Sequence, residues 1–194
     1  MASNPKPFIT PEEYLELESR AEHKSEYYQG EIFVMAGASP RHNLLTANIV
    51  GELRAKLKGK PCAVVSADLL VRTAKTGLHT YPDVVVVCGK PALDEKEKRL
   101  LLNPTVIVEV LSKSTKDYDR GGKFEAYREI ESFSEYVLVA QDRFHVEHFA
   151  RQADGSWLMR ETDNLESKIK LSTLDCELEL NEIYYNFDFF AGEE

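Results

Sequence analysis

Three short runs of apolar residues constrain the fold of this chain more than any other feature. They cover residues 62–71, 84–88 and 106–111 and are rich in valine. Each run is too short for a buried helix, and β-branched side chains favour strands that are covered on both faces. The runs therefore predict the central strands of a sheet.

Three helices are predicted, over residues 10–20, 39–58 and 114–131. The first begins at the capping box Thr10-Pro11-Glu12-Glu13, in which a hydroxyl and a glutamate satisfy free N–H groups of the first turn. The second begins at Ser39-Pro40 and carries leucine or isoleucine at every fourth position, which gives it one apolar stripe. In the third range, residues 114–131, a turn comes first and the helix follows it.

Shorter extended segments complete the pattern. The Gln29-Gly30 pair predicts the turn of an early hairpin over residues 26–34, because glycine supplies the positive φ that such turns require. Residues 136–140 are a further predicted strand. The aromatic tail, residues 184–190, is too apolar for solvent and is expected to pack on the core or on a partner subunit. Three alternating segments predict an antiparallel extension: 145–150, 157–162 and 168–171.

Length and charge narrow the function. The chain has 194 residues, 43% of them hydrophobic, and no linker-like tract, so residues 1–194 are predicted to form a single domain. No apolar run approaches membrane-spanning length, and no membrane partner is expected. The net charge of -9 disfavours indiscriminate coating of DNA. Any nucleic-acid site must therefore be a local basic patch.

The three cysteines, Cys62, Cys88 and Cys176, are odd in number and far apart. Their spacing fits no metal motif, and a chain of this length needs no disulfide to stabilise its core. We therefore expect reduced core residues and a cytoplasmic location.

Glu109 is the most informative residue, because it interrupts the apolar run Val106–Leu111. Period-two alternation places it on one face with Ile107 and Leu111, so it is not the polar half of an amphipathic strand. An unpaired buried carboxylate is costly, and Glu109 therefore needs a cation. That cation is either a metal ion or a core arginine or lysine in a structural ion pair.

Asp83 directly precedes the neighbouring run of valines, so a second carboxylate marks the start of a second buried strand. Two carboxylates on strands can share one hard cation, and a partly open oxygen site suits Mg²⁺, with Mn²⁺ as the alternative. Such an ion stabilises charge on a phosphoryl group and lowers the pKa of a bound water. Asp83 and Glu109 are the predicted metal ligands, with a turn or capping role as the alternative for Asp83.

Two lysines compete for a place beside that water. Lys113 lies on the Glu109 face by strand parity, just after the strand. Lys123 lies on the next helix, from which a long side chain can return to the strand. A positive group there would stabilise the charge that develops during phosphodiester hydrolysis.

Five segments of the chain form recognisable motifs: Gly30-Glu31-Ile32, Tyr81-Pro82-Asp83-Val84, residues 106–115, residues 119–127 and residues 135–139. These motifs closely resemble those of the Uma-two family of the PD-(D/E)XK nuclease superfamily. Together they cover nearly the whole chain. The resemblance implies an α/β, restriction-endonuclease-like fold, with a mixed central sheet flanked by helices, that cleaves DNA with a divalent metal.

The resemblance also implies roles for single residues. Asp83 matches the aspartate of the family motif, and Glu109 matches its second acidic residue. Leu111 stands where the usual lysine would be, and the family pattern moves that lysine to the next helix, at Lys123. Lys123 is therefore the preferred catalytic lysine, with Lys113 as the alternative.

The remaining site residues follow from the same resemblance. Glu31 is expected near the cleft as a further metal contact, and His42 is expected beside it. The alternative for Glu31 is a solvent-facing turn residue, and the alternative for His42 is a helix cap or a surface group. Gln141, at a strand end, is expected to orient a water or a phosphate. Lys113, Lys116 and Arg120 are expected to hold the substrate, in a local basic patch that also contains Lys123 and Arg128. The alternative for this patch is a mixed, solvated face, because acidic residues lie among its cations.

The preferred function is a metal-dependent endonuclease that hydrolyses DNA. A homodimer is expected, since cutting both strands usually needs two active sites. The alternative is a catalytically silent nucleic-acid- or protein-binding module on the same fold. A metal-free acyl or glycosyl hydrolase is disfavoured, because no nucleophile-elbow motif is present and buried carboxylates beside lysines suit a phosphate.

Overall fold

The structure, a computed structural model, describes residues 8–66 and 68–192. Within them, a π-helical turn (Asp119–Lys123) joins α3 directly to α4. In chain order the elements are α1 (Pro11–Glu18), β1 (Ser25–Tyr28), β2 (Glu31–Val34), α2 (Pro40–Lys56), β3 (Cys62–Ser66), β4 (Leu70–Arg72), β5 (His79–Thr80), β6 (Val84–Cys88), β7 (Leu100–Leu101), β8 (Val106–Leu111), α3 (Lys116–Tyr118), α4 (Phe124–Tyr127), β9 (Glu135–Ala140), β10 (Val146–Arg151), β11 (Trp157–Thr162), β12 (Lys168–Leu171), β13 (Cys176–Glu179) and α5 (Leu180–Ile183).

A mixed six-stranded sheet, in the order β11-β10-β9-β8-β6-β3, organises the fold. Its central pair, β8 and β9, is parallel, and the other neighbours are antiparallel. A second, five-stranded sheet has the order β2-β1-β5-β4-β7, and β12 pairs with β13 separately. The predicted α/β architecture with a mixed central sheet is confirmed, and so is the antiparallel extension formed by β10 and β11.

The two faces of the central sheet are covered by different helices. On one face the apolar stripe of α2, with Leu45, Ile49 and Leu53 fully buried, packs against the even-numbered valines of β6 and β8. On the other face α4 packs against odd-numbered residues, among them Ile107 of β8. This alternation follows from the period of two along each strand. The predicted helix over residues 39–58 and its stripe are confirmed.

The first elements also follow the sequence. Thr10 and Glu13 form the predicted capping box at the start of α1. The β1–β2 hairpin turns at Gln29-Gly30, where both residues have positive φ, at 48° and 87°. A Cβ atom at Gly30 would also lie 2.3 Å from the ring of Phe8, so glycine is required there for space as well as for conformation.

Two predicted elements are divided. The run over residues 62–71 is not one strand, because β3 lies in the central sheet and β4 lies in the five-stranded sheet. The polar residues Ser66 and Asp68 form a turn between them, and residue 67 lies outside the described part of the chain. The helix predicted within residues 114–131 is broken by the π-helical turn and ends at Tyr127.

The aromatic tail packs on the core in part. Tyr184 and Phe187 are buried beside Phe144 on the α2 side of the sheet, whereas Tyr185 and Phe189 are 60% and 75% exposed. None of the helices in the described part of the chain combines the length and apolar character needed to cross a bilayer. The single-domain prediction for residues 1–194 includes residues 1–7, 67, 193 and 194, which lie outside the described part, and it stays a prediction.

The expectation of three reduced cysteines is wrong for two of them. Cys62 and Cys88 form a disulfide, while Cys176 is a free thiol. The two bonded residues are separated by 26 positions in sequence. They become direct neighbours because β3 pairs with β6 in the register that sets Cys62 opposite Cys88.

We expect removal of this disulfide to lower the free energy of unfolding. The Cys62→Ser/Cys88→Ser double variant should lose about 2–4 kcal/mol in urea unfolding, since the crosslink closes a loop in the unfolded chain. Cys176→Ser is the matched control and should change little. Titration of the denatured, unreduced protein should find one thiol; three thiols would contradict the pairing.

Candidate active site

The candidate site is a cleft of about 640 Å³. It lies beside Asp83, which directly precedes β6, and beside the second half of β8. The β1–β2 hairpin and the segment after it form one wall. The first turn of α2 and the α3–α4 region form the others. Four carboxylates, each from a different one of these elements, line its floor together with one lysine: Glu26, Asp83, Glu109, Asp119 and Lys123.

Asp83 and Glu109 face each other across the β6–β8 ladder. Val84 pairs with Val108, and one step further along the same antiparallel register Asp83 lies opposite Glu109. Opposed residues share a face of the sheet, so both carboxylates enter the cleft. The Asp83 N–H donates to Glu109 Oε2 at 3.1 Å, and the Val110 N–H donates to Asp83 Oδ2 at 2.7 Å.

Lys123 is buried at the centre of the floor. Its Nζ lies 2.9 Å from Glu26 Oε1, 3.2 Å from Asp119 Oδ1 and 3.4 Å from Glu109 Oε1. The Tyr127 hydroxyl also donates to Glu109 Oε1, at 3.1 Å. Glu109 therefore has the lysine partner of a structural ion pair and lies beside Asp83 as well.

Lys123 and Asp119 both lie in the π-helical turn. They are the buried residues of that turn, and such turns are often found at functional sites. Gly122 is needed because a Cβ atom there would lie 2.9 Å from the Tyr118 ring. That ring lines the cleft, with its centroid 5.8 Å from Lys123 Nζ.

Burial and charge shift the protonation of this cluster. Burial raises the pKa of Glu109 well above 4.5, Lys123 opposes that rise, and the carboxylates of Asp83, Asp119 and Glu26 reinforce it. Burial also raises the pKa of Asp119 against the effect of Lys123. Burial alone would lower the pKa of Lys123, but its three carboxylate partners raise it well above 10.5. Lys123 is therefore a cation at neutral pH.

The structure brings most of the predicted site residues to this cleft. His42 lines it, with Nε2 3.2 Å from Asp83 Oδ2. Gln141 lines it too, and its Oε1 accepts a hydrogen bond from Ser39 Oγ at 2.8 Å. Glu31 is exposed on β2 and is not among the residues that line the cleft.

The predicted basic patch lies in an adjoining cleft. Lys113, Lys116 and Arg120 line a second cleft, of about 380 Å³, together with Arg143. Arg120 donates two hydrogen bonds to Glu147 Oε1, at 2.8 and 2.6 Å. Lys113 is thus separated from the cluster around Lys123.

Two members of the cluster were not predicted from the sequence. Glu26 is 7% exposed, and its Oε1 also accepts a hydrogen bond from the Thr80 hydroxyl of β5. Asp119 is 2% exposed. The sequence signal for Glu26 was its position inside a short strand that is otherwise serine and tyrosine. Alternation along that strand places Glu26 on the same face as Tyr28. For Asp119 it was the spacing of four from Lys123, which on a helix places two side chains together.

The residues present suit a divalent cation by charge. Among the described residues, no group of three or more histidine, cysteine, aspartate or glutamate side chains is already arranged to hold a metal ion. However, the four carboxylates of the floor face a single buried lysine, which leaves an excess of negative charge in a low-dielectric site. Oxygen ligands with such an excess are typical of Mg²⁺ and Ca²⁺ sites. The donor set therefore fits a hard cation beside Asp83 and Glu109.

Comparisons with known proteins show the family and the fold of the chain. Residues 11–182 match the model of the family Uma2, described as "Putative restriction endonuclease". Two relatives from Synechocystis, the uncharacterized proteins slr1290 and sll1609, are 36% and 35% identical to the chain. The first match covers 86% of this chain and 88% of the relative, and the second covers 84% and 93%.

A solved structure shares the fold. It is described as "a putative nuclease belonging to DUF820", from Anabaena variabilis, and it superposes with a TM-score of 0.76 at 16% sequence identity. The superposition covers 92% of this chain and 99% of the other. The resemblance drawn from the sequence motifs is confirmed by the family match.

We expect divalent-ion binding to weaken as the pH falls, at a higher pH than for an ordinary carboxyl group. A metal ion must displace the proton of Glu109, and its pKa lies well above 4.5. Below that pKa, affinity should fall about tenfold per pH unit. Calorimetric titration with Mn²⁺ between about pH 5 and about pH 8 measures this. Unchanged affinity down to pH 4.5 would contradict the raised pKa.

Proposed function

Because this chain belongs to the Uma2 family, we propose that it is a Mg²⁺-dependent endonuclease that hydrolyses DNA phosphodiester bonds. One observation carries the proposal. Asp83 and Glu109 lie opposite each other on adjacent strands and face one cleft, with a buried lysine beside Glu109. Carboxylates in this arrangement suit a hard cation, and a lysine beside them suits a reacting phosphate.

In this proposal Asp83 and Glu109 hold the ion, and Glu26 is the third carboxylate within reach of the same cluster. Bound Mg²⁺ would supply charge stabilisation at the phosphoryl group and an acidic bound water. The protein orients Asp83 through the Val110 N–H and His42. Tyr127 orients Glu109 through its hydroxyl. Gln141 lies at the rim, where it can orient a water or a phosphate oxygen.

Lys123 is the proposed catalytic lysine. It is held as a cation by its carboxylate partners, and its Nζ lies in the cluster that contains Glu109. Lys113 lies outside this cluster, on the second cleft, where a substrate contact suits it better. Lys116 and Arg120 line the same second cleft and complete the proposed phosphate contacts.

The alternative function is a catalytically silent binding module on the same fold. The observation that favours it is the engagement of Lys123 by three carboxylates, which is how a purely structural ion cluster would look. Metal binding separates the two functions, because only the nuclease requires an ion at Asp83 and Glu109.

Assembly and location are part of the proposal. A homodimer would place two sites on a duplex, and light scattering tests it directly. A cytoplasmic location stays a prediction. The expectation of reduced cysteines no longer supports it, because Cys62 and Cys88 form a disulfide and disulfides are uncommon in a reducing compartment.

We expect Asp83→Asn and Glu109→Gln to abolish both metal binding and cleavage. Each substitution keeps the shape of the side chain and removes its charge, so the loss of activity should be at least about 100-fold. Plasmid nicking with Mg²⁺, compared with the same protein in chelator, measures cleavage, and calorimetry measures binding.

A matched pair on the hairpin sharpens this test. Glu26→Gln should weaken Mg²⁺ binding, whereas Glu31→Gln should not, because only Glu26 reaches the cluster. The opposite result would return the auxiliary role to Glu31. Full cleavage in both Asp83→Asn and Glu109→Gln would rule out the proposed site.

We expect Lys123→Gln to bind Mn²⁺ and lose cleavage, and Lys113→Gln to retain most cleavage. Removing Lys123 leaves three buried carboxylates without their cation, so its thermal unfolding must be measured first. If Lys123→Gln does not fold, adding Glu26→Gln and Asp119→Asn removes the excess charge and gives a second variant to assay. Cleavage that survives in Lys123→Gln and disappears in Lys113→Gln would assign the role to Lys113.

A further inference from the structure

We infer that the two adjoining clefts together bind a single unpaired strand of DNA, with bases against an aromatic wall and phosphates on a neighbouring cationic cleft. This inference rests on the proposed function, because it assigns the substrate class of the same site. It is carried by three features of the structure: the exposed apolar wall of the first cleft, the charge of the second, and the residues that they share.

The wall of the first cleft belongs to the β1–β2 hairpin. Phe33 lies directly opposite Glu26 in the antiparallel register, so the two side chains share one face of the hairpin. Glu26 contacts Lys123 on the cleft floor, and Phe33 is 49% exposed beside it. Val34 follows and is 73% exposed, and Tyr28 also lines the cleft.

An apolar wall of this kind finds no matching apolar surface on the outside of a duplex. A duplex presents sugars and phosphates at its surface and keeps its bases stacked inside. An unpaired base presents a π-face that stacks on phenylalanine or tyrosine, whatever its sequence. Phe33, next to the carboxylate cluster, is placed for such a contact.

The second cleft supplies the charge for the phosphates. Four cations line it: Lys113, Lys116, Arg120 and Arg143. Asp142 is the one acidic residue among its lining residues. Lys116 is exposed. Arg143 lies 3.8 Å from Asp142 in an ion pair at the surface, and its side chain is 59% exposed, so both cations can turn to a phosphate. In a chain of net charge -9, this is where an anionic strand is attracted.

The two clefts are continuous. Ser39, Ser112 and Gln141 line both of them. A strand can therefore pass from the carboxylate cluster over Gln141 to the cationic cleft without leaving the surface. Stacking on one side and phosphate contacts on the other is the combination by which proteins bind single strands without reading sequence.

Fluorescence anisotropy tests the inference. The probe is a labelled oligothymidylate of roughly 20 nucleotides, compared with a duplex of the same length, in Ca²⁺ and again in chelator. The single strand should bind at least about tenfold more tightly than the duplex. Phe33→Ala should weaken binding of the single strand about tenfold and leave the duplex unchanged, and Phe33→Trp should restore it.

Matched controls lie away from both clefts. Phe189→Ala removes a phenyl ring that is even more exposed than that of Phe33 and should have no effect. Lys116→Ala and Arg143→Ala should each weaken binding and reduce the salt dependence by about 0.7 in slope, whereas Lys98→Ala should not.

The outcomes separate this inference from the proposed function. Equal or tighter binding of the duplex, or no effect of Phe33→Ala, overturns the single-strand inference while Mg²⁺-dependent plasmid nicking still supports the endonuclease. Failure of both DNAs to bind under either condition overturns both. Preference for the single strand with loss in Phe33→Ala supports the inference, even in Asp83→Asn protein that does not cleave.

Discussion

The pairing of β6 with β8 is the constraint on which the rest of the site depends. Its register sets Asp83 opposite Glu109, and each residue accepts or donates a hydrogen bond across the pair. The two acids therefore cannot move apart without breaking the central sheet. The valines of the same strands are buried against α2 on one face and α4 on the other, so the buried core of the central sheet positions the cluster of carboxylates.

Lys123 makes this concentration of charge compatible with folding. Burying carboxylates without a counterion would be too costly, and the buried Nζ of Lys123 lies within 3.4 Å of three of them. Gly122 permits the π-helical turn to pack against Tyr118. This turn carries both Asp119 and Lys123, so the helix predicted from the sequence is interrupted at the site itself.

The parts of the site that follow from strand parity could be predicted from the sequence. Glu109 sits in an apolar strand and Asp83 at the head of another, and period two alone places their side chains. Glu26 could not be found in this way, because its contact with Lys123 depends on how the five-stranded sheet meets the central one. The Cys62–Cys88 bond was missed for the same reason: it depends on which strands are neighbours, and local pattern does not specify that.

The charge of the cluster also shows how one lysine would serve both folding and the chemistry proposed for the site. Lys123 contacts three acids, and the distance from its Nζ to Glu109 Oε1, 3.4 Å, is the longest of the three. A divalent ion beside Asp83 and Glu109 would take over part of the neutralisation that Lys123 provides. The lysine would then be held by Glu26 and Asp119 at the edge of the metal site, facing the cleft. The carboxylates that look like a structural cage are, in that state, what positions a cation for a phosphate.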